Sequence, residues 1–195
     1  MVAVLLALAL LTDWTATAKK ANESIVYVES ESSKCTGFLI HAAWKNDTDL
    51  ILTAQHCDGK ALFADYVAAK VIYKHAKADL MILEVADTGR PAIAISQKNP
   101  AIGEEVGSYG FGYALERPMF RLAHVSDDKA ALPDIDGGPF VMVDAGYVSG
   151  QSGGPCVNAA GAVVSIVQRA SGLVGIGVGA ETIRDKIKRF LPKVP

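Results

Sequence analysis

Leu50-Ile51-Leu52-Thr53-Ala54-Gln55-His56-Cys57 is a short apolar run that ends on a histidine and a cysteine. Its first five residues read as a buried strand, so His56 stands at a strand's exit, where a side chain can reach a cleft. Similar runs lie on both sides. Ser24-Ile25-Val26-Tyr27-Val28 and Thr36-Gly37-Phe38-Leu39-Ile40 precede it, and segments from Leu62 to Tyr73, Leu80 to Val85 and Ala92 to Ile95 follow. Asn, Asp, Gly and Lys clusters separate these runs, which is the pattern of an all-β protein. That makes about six strands before a connector, Ser96 to Gly103, which contains Asn99-Pro100. About six more follow, around Glu105 to Tyr113, Phe120 to Val125, Phe140 to Val148, Pro155 to Asn158, Ala162 to Gln168 and Leu173 to Val178. The chain of 195 residues therefore divides into two β halves of similar size, 19–98 and 99–195.

Helical periodicity is confined to the C-terminus, where Ile183, Ile187, Phe190 and Leu191 share a face. Thr182 is its expected N-cap, with Asp185 completing a capping box, and Pro192 ends it. At the other terminus the apolar run from Ala3 to Leu11 is too short for a bilayer, which needs ~20 residues. Ala16-Thr17-Ala18 follows, before Lys19-Lys20. Residues 1–18 thus read as a signal peptide cleaved after Ala18, although no basic residue precedes the apolar run. The mature chain is expected to be secreted or periplasmic, monomeric, and away from the membrane once cleaved. The other readings of residues 1–18 are a buried segment of the fold and a flank cut from a viral polyprotein. A net charge of −2 without a basic run argues against nucleic acid as a partner.

The chemistry gathers at Gly150-Gln151-Ser152-Gly153-Gly154-Pro155-Cys156. Glycines on both sides of Ser152 leave a hydroxyl bare and let backbone amides turn in beside it. The run also satisfies G-x-S-x-G, but that elbow needs its histidine after the serine. His41, His56, His75 and His124 all come before it. The order histidine, acid, serine is available instead. Asp79 leads directly into Leu80-Met81-Ile82-Leu83, and a carboxylate entering a buried strand needs a partner such as an imidazole N–H. Asp65 and Asp87 lead into less apolar runs. The cysteines and histidines form no spaced ligand set, so neither a metal nor another cofactor is expected.

Thr53-Ala54-Gln55-His56-Cys57, Ala78-Asp79-Leu80-Met81-Ile82-Leu83 and Gly150-Gln151-Ser152-Gly153-Gly154-Pro155 resemble, in order, the three signature blocks of the chymotrypsin-like (trypsin-like) serine proteases. The compact bacterial and viral members are the nearer comparison. The resemblance implies two six-stranded antiparallel barrels with a C-terminal helix. It also implies Ser152 as nucleophile, His56 as general base and acid, and Asp79 as the group that orients the imidazole. Backbone amides of Gly150 and Ser152 would form the oxyanion hole. Cys35 and Cys57 match the family's bridge beside the catalytic histidine, and Cys156 is left as a buried core residue.

Two departures bear on substrate and activation. Gln151 stands where trypsin-type zymogens carry the Asp that pairs with a freed N-terminal amine, so no such switch is expected. Gly146 stands where the trypsin type carries its pocket Asp, so a preference for Arg or Lys before the cut is not expected. Gly146, Tyr147, Gln168, Arg169 and Ala170 are the expected substrate-binding residues. Small or uncharged apolar residues are the expected preference, with Asp144 as the one acid near enough to alter it. The alternatives are a catalytically silent homologue used as a binding module, a viral polyprotein-processing protease, and an esterase on the same fold.

Overall fold

A computed structural model describes residues 13–45, 47–132 and 136–192. The apolar run from Ala3 to Leu11 lies outside the described residues. The first half is an antiparallel sheet of β1 (Ile25–Ser30), β2 (Lys34–Leu39), β3 (Thr48–Ala54), β4 (Leu62–Ala64), β5 (Val67–Ala68), β6 (Lys70–His75) and β7 (Leu80–Ala86). Its order is β5-β4-β1-β2-β3-β7-β6, seven strands left open between β5 and β6 rather than six in a ring. Two local causes account for the difference. Asp65 and Tyr66 adopt φ of 46° and 68°, which turns the chain into a hairpin and splits the Leu62–Tyr73 stretch. Ile93 bridges to Ile40 in the first half and Ile95 to Val163 in the second, so the Ala92–Ile95 run is shared between halves and lengthens neither sheet.

The second half is a closed six-stranded barrel. Its strands are β8 (Glu105–Gly110), β9 (Met119–Ala130), β10 (Phe140–Val143), β11 (Pro155–Val157), β12 (Val163–Ser171) and β13 (Val174–Gly179). They close in the order β10-β13-β12-β11-β8-β9, which leaves no free edge to pair with another chain. Alternation fixes the register: on β9, Ala123 and Val125 are buried while Leu122 and His124 face out.

A single apolar cluster runs through both halves. Phe38, Leu52 and Ile82 from the first sheet meet Phe111, Phe140 and Ile166 from the barrel. The C-terminal helix, α2 (Ala180–Ile187), adds Ile183 and Ile187 to it, with Phe190 just beyond. Thr182 does not cap α2. The helix begins directly at the end of β13 with Gly179 as N-cap, and Asn99 Oδ1 accepts the Glu181 amide at 3.1 Å from the connector.

A second helix, α1 (Trp14–Asn22), lies where no helical periodicity was read. Asp13 caps it by accepting the Ala16 amide at 3.1 Å. The Trp14 ring packs on Phe120 with centroids 6.1 Å apart, and its indole N–H donates to Glu105. Ala21 is buried in the shared core, and the Tyr109 hydroxyl donates to the Ala18 carbonyl. The expected cleavage point after Ala18 therefore falls within a helix packed on the barrel. Among the described residues no helix is long and apolar enough to cross a membrane.

Candidate active site

β3 and β7 are neighbours, with Ala54 opposite Leu80 at the end of the ladder. His56 follows Ala54 by two residues and Asp79 precedes Leu80 by one, so both leave adjacent strands at the same end. His56 sits in a single 3-10 turn, Gln55–Cys57. Asp79 adopts φ of 49°, a left-handed conformation that aspartate tolerates better than most side chains. The Asp79 carboxylate then reaches His56 twice: Oδ2 lies 2.6 Å from Nδ1, and Oδ1 accepts the His56 backbone amide at 2.8 Å. The Asp79 carbonyl also accepts the Gln55 amide at 3.1 Å. A carboxylate against Nδ1 keeps the proton on that nitrogen and leaves the Nε2 lone pair for a substrate-side group. The Asp79 side chain is 16% exposed against 46% for His56, as suits a buried orienter and an accessible base.

Ser152 comes from the other half and lines the same cleft as His56, a space of about 540 Å³ that also touches Lys34, Cys35, Tyr113 and Gly150. Its hydroxyl donates to the Gln168 carbonyl at 3.4 Å, a long bond, and no hydrogen bond joins it to His56 among the described residues. Catalytic hydrogen bonds of this kind often tighten only when substrate is bound.

The backbone around Ser152 is pinned carbonyl by carbonyl. Tyr113 N–H donates to the Ser149 carbonyl at 2.7 Å, and Gly154 N–H donates to the Gln151 carbonyl at 2.9 Å. In a trans peptide the N–H points opposite to the C=O. The amides of Gly150 and Ser152 are thereby turned away from these bonds, and neither donates to a protein acceptor among the described residues. Gly150 has φ of 94°, and a Cβ there would lie 2.3 Å from the Phe111 carbonyl oxygen, so only glycine fits. Two unengaged amides flanking a half-buried hydroxyl can receive an oxyanion.

Gln151 is fully buried and its Oε1 accepts the Val148 amide at 2.9 Å, tying the loop to itself. Cys35 and Cys57 form a disulfide beside His56. Cys156 is a free, buried thiol, pushed up to about 12 by burial.

The expected substrate-binding residues divide. Tyr147 is buried beside Cys156, with its phenol raised well above the ordinary value by burial. Gly146 offers its carbonyl to Arg121 Nη1 at 2.5 Å, which brings a guanidinium to that position. Asp144 is turned to His124 instead: its Oδ1 accepts the His124 amide at 2.6 Å, and that bond lowers its carboxyl. The Gln168 side chain is buried and donates to the Ala78 carbonyl at 2.7 Å, so it braces the Asp79 turn while its own carbonyl faces Ser152. Arg169 and Ala170 are exposed on β12, after a bulge that shifts the register at Val167. Gln168 and Arg169 border, with His56 and Asp79, a second open space of about 480 Å³. Sequence reasoning missed Thr36, Tyr113 and Arg121. Each acts through a backbone group of a distant loop, a relation that no local motif encodes.

The trypsin-like peptidase domain family matches this chain over residues 35–166. No curated protein matches its sequence. Among solved structures it is similar to an inactive form of the Rv3671c protease of M. tuberculosis, with 21% identity, coverage of 89% of this chain and 91% of that one, and a TM-score of 0.74. The serine endoprotease from Yersinia pestis is 21% identical over 92% of this chain and 67% of its own, with a TM-score of 0.75. The HtrA-type protease AlgW with a tripeptide is 17% identical over 86% of this chain and 60% of its own, with a TM-score of 0.74. At these identities the likeness speaks to fold.

Proposed function

Because this chain belongs to the trypsin-like peptidase domain family, we propose that it is a serine endopeptidase acting through an acyl-enzyme on Ser152. The observation that carries the reading is the two-point hold of Asp79 on His56, at 2.6 and 2.8 Å, in a cleft shared with Ser152. Ser152 Oγ attacks the scissile carbonyl carbon and gives its proton to His56 Nε2. Negative charge moves to the carbonyl oxygen, against the Gly150 and Ser152 amides. As the intermediate collapses, the C–N bond breaks and His56 returns the proton to the departing amine. Water then repeats the sequence on the ester and frees Ser152. The Asp79 carboxylate offsets the charge on the imidazolium.

The substrate is a peptide or protein lying extended along Arg169 and Ala170. Lys or Arg before the cut is disfavoured. No acid stands at position 146, and the Arg121 guanidinium on the Gly146 carbonyl adds repulsion. Small or uncharged apolar side chains before the cut are the proposed preference, beside the buried ring of Tyr147. The Cys35–Cys57 bridge supports work in an oxidising compartment, secreted or periplasmic.

Fluorophosphonate labelling tests the reading. The wild-type protein should label, Ser152→Ala should not, and His56→Ala should label far more slowly. Equal labelling of wild type and Ser152→Ala would refute it. Profiling on a peptide library then reads the residue before the cut, and a dominance of Lys or Arg would remove the specificity part alone.

A further inference from the structure

We propose that Thr36 is a positioning residue for the oxyanion-binding loop, acting across the junction of the two halves through its hydroxyl. The inference rests on the serine-peptidase reading of Ser152 and names a group that sets its geometry.

Thr36 lies in β2 of the first half, next to the disulfide cysteine Cys35, and is fully buried. All its polar atoms outside the strand ladder turn toward the other half or toward β3. Its amide donates to the Ser152 carbonyl at 2.8 Å. Its carbonyl accepts the Thr53 hydroxyl at 2.7 Å. Its Oγ1 accepts the Phe111 amide at 2.9 Å and lies 2.7 Å from the Gly150 carbonyl. The direction of the last bond is settled by chemistry. The amide can only donate and the carbonyl only accept, so the hydroxyl proton points at Gly150.

Gly150 joins the peptide of the first oxyanion donor to the plane that leads toward the second. Its N–H belongs to the peptide fixed by Tyr113 on Ser149, and its C=O belongs to the next peptide. At φ of 94° and without a Cβ, nothing intrinsic to the glycine holds the angle between those two planes. Thr36 Oγ1 holds the second plane at its carbonyl end, the Gln151 amide donating to the Val148 carbonyl at 3.1 Å at the other, while Tyr113 fixes the first. Its amide on the Ser152 carbonyl sets the plane beyond the nucleophile. Thr36 thus touches no reacting atom but holds the peptide before Gln151 and the peptide after Ser152, the two that flank the plane bearing the Ser152 amide. The Phe111 amide that it accepts belongs to the segment carrying Tyr113, so one hydroxyl ties together the donors of both planes.

Thr36→Val keeps the shape and deletes the hydroxyl, and Thr36→Ala deletes it without steric demand. Thr36→Ser restores it. Each is assayed with p-nitrophenyl butyrate and fluorescein-labelled casein, together with its fluorophosphonate inactivation rate and melting temperature. Removing a direct oxyanion donor costs about a hundredfold or more in kcat, so misaiming one through its support should cost about 10- to 100-fold. The expected result is that loss in kcat for Thr36→Val and Thr36→Ala, with KM within about twofold because ground-state binding is untouched. Thr36→Ser should recover most of it.

A Val or Ala variant with a lower melting temperature but wild-type kcat would overturn the proposal, leaving Thr36 a structural residue. So would a loss carried by KM, or one that Thr36→Ser does not rescue. If neither the Val nor the Ala variant folds while the Ser variant does, the hydroxyl serves stability and the proposal fails. A folded wild-type protein that neither labels nor hydrolyses would instead remove the serine-peptidase reading on which it rests.

Discussion

Asp79 holds His56 at two points, with one carboxylate oxygen 2.6 Å from the ring Nδ1 and the other 2.8 Å from the backbone amide. The second bond fixes where the residue sits, and the first fixes which ring nitrogen carries the proton. Asp79→Asn should keep the position and lose the tautomer. The expected result is a fall in kcat of about ten-thousand-fold with KM little changed, read by steady-state kinetics. A fall below tenfold would mean that Asp79 only packs.

The Cys35–Cys57 bridge spans 22 residues of sequence, which include all of β3. Closing a loop of that length restricts the unfolded chain and contributes about 3 kcal/mol. The double Cys→Ala variant should melt about 6–12 °C lower, taking 2–4 °C per kcal/mol for a chain of this size. A calorimetric shift under 2 °C would count against that loop-closure account.

Restoring the trypsin-type acid at position 146 should not create a trypsin-type enzyme. A Cβ on Gly146 would lie 2.7 Å from the Gly172 carbonyl oxygen, and the carboxylate would compete for Arg121. Gly146→Asp is expected to lower the melting temperature without raising cleavage after Lys or Arg, as read on the same peptide library. Efficient cleavage after Lys would show that the glycine alone decides the preference.

Alkaline pH should unfold the protein through buried groups of the second half. Cys156 and Tyr109 are each raised to about 12 by burial, from 9.0 and 10.0, and burial also raises Tyr147 well above its ordinary value. Their folded values exceed their unfolded ones, so stability is whole below pH 9 and drains as the pH climbs toward 12. Melting temperatures should hold level to pH 9 and then fall. Iodoacetamide should modify Cys156 only after denaturation. Rapid modification of the native thiol would contradict the burial.

Trp14 anchors α1 through Phe120 and Glu105, on the N-terminal side of Ala18. Trp14→Ala should cost about 2 kcal/mol in urea unfolding, less than a fully buried tryptophan would. N-terminal sequencing of the mature protein decides whether the chain keeps this anchor or starts at Lys19.

How much of this was legible follows from what each feature requires. His56, Asp79 and Ser152 carry side chains of unusual chemistry at strand exits and in a glycine loop, and such residues stand out in a row of Val, Ile and Leu. Their order along the chain excluded the competing elbow. The disulfide pairing came with the resemblance. α1 stayed hidden because Trp-Thr-Ala-Thr-Ala has no apolar stripe, and its stability comes from the barrel under Trp14 and Ala21. Thr36 and Arg121 stayed hidden for another reason. A threonine and an arginine in strands are ordinary, and only the fold brings them to the carbonyls of Gly150 and Gly146. Gln168 was expected at the substrate; its carbonyl accepts the Ser152 hydroxyl, and its amide donates to the Ala78 carbonyl beside Asp79.

The open volume of about 540 Å³ beside Ser152 is bounded by Lys34, Cys35 and Tyr113, not by Gly146 or Tyr147. For inhibitor chemistry this reverses the usual starting point. On the serine-peptidase reading, a serine-directed warhead should gain selectivity by growing toward the ammonium of Lys34 and the exposed ring of Tyr113.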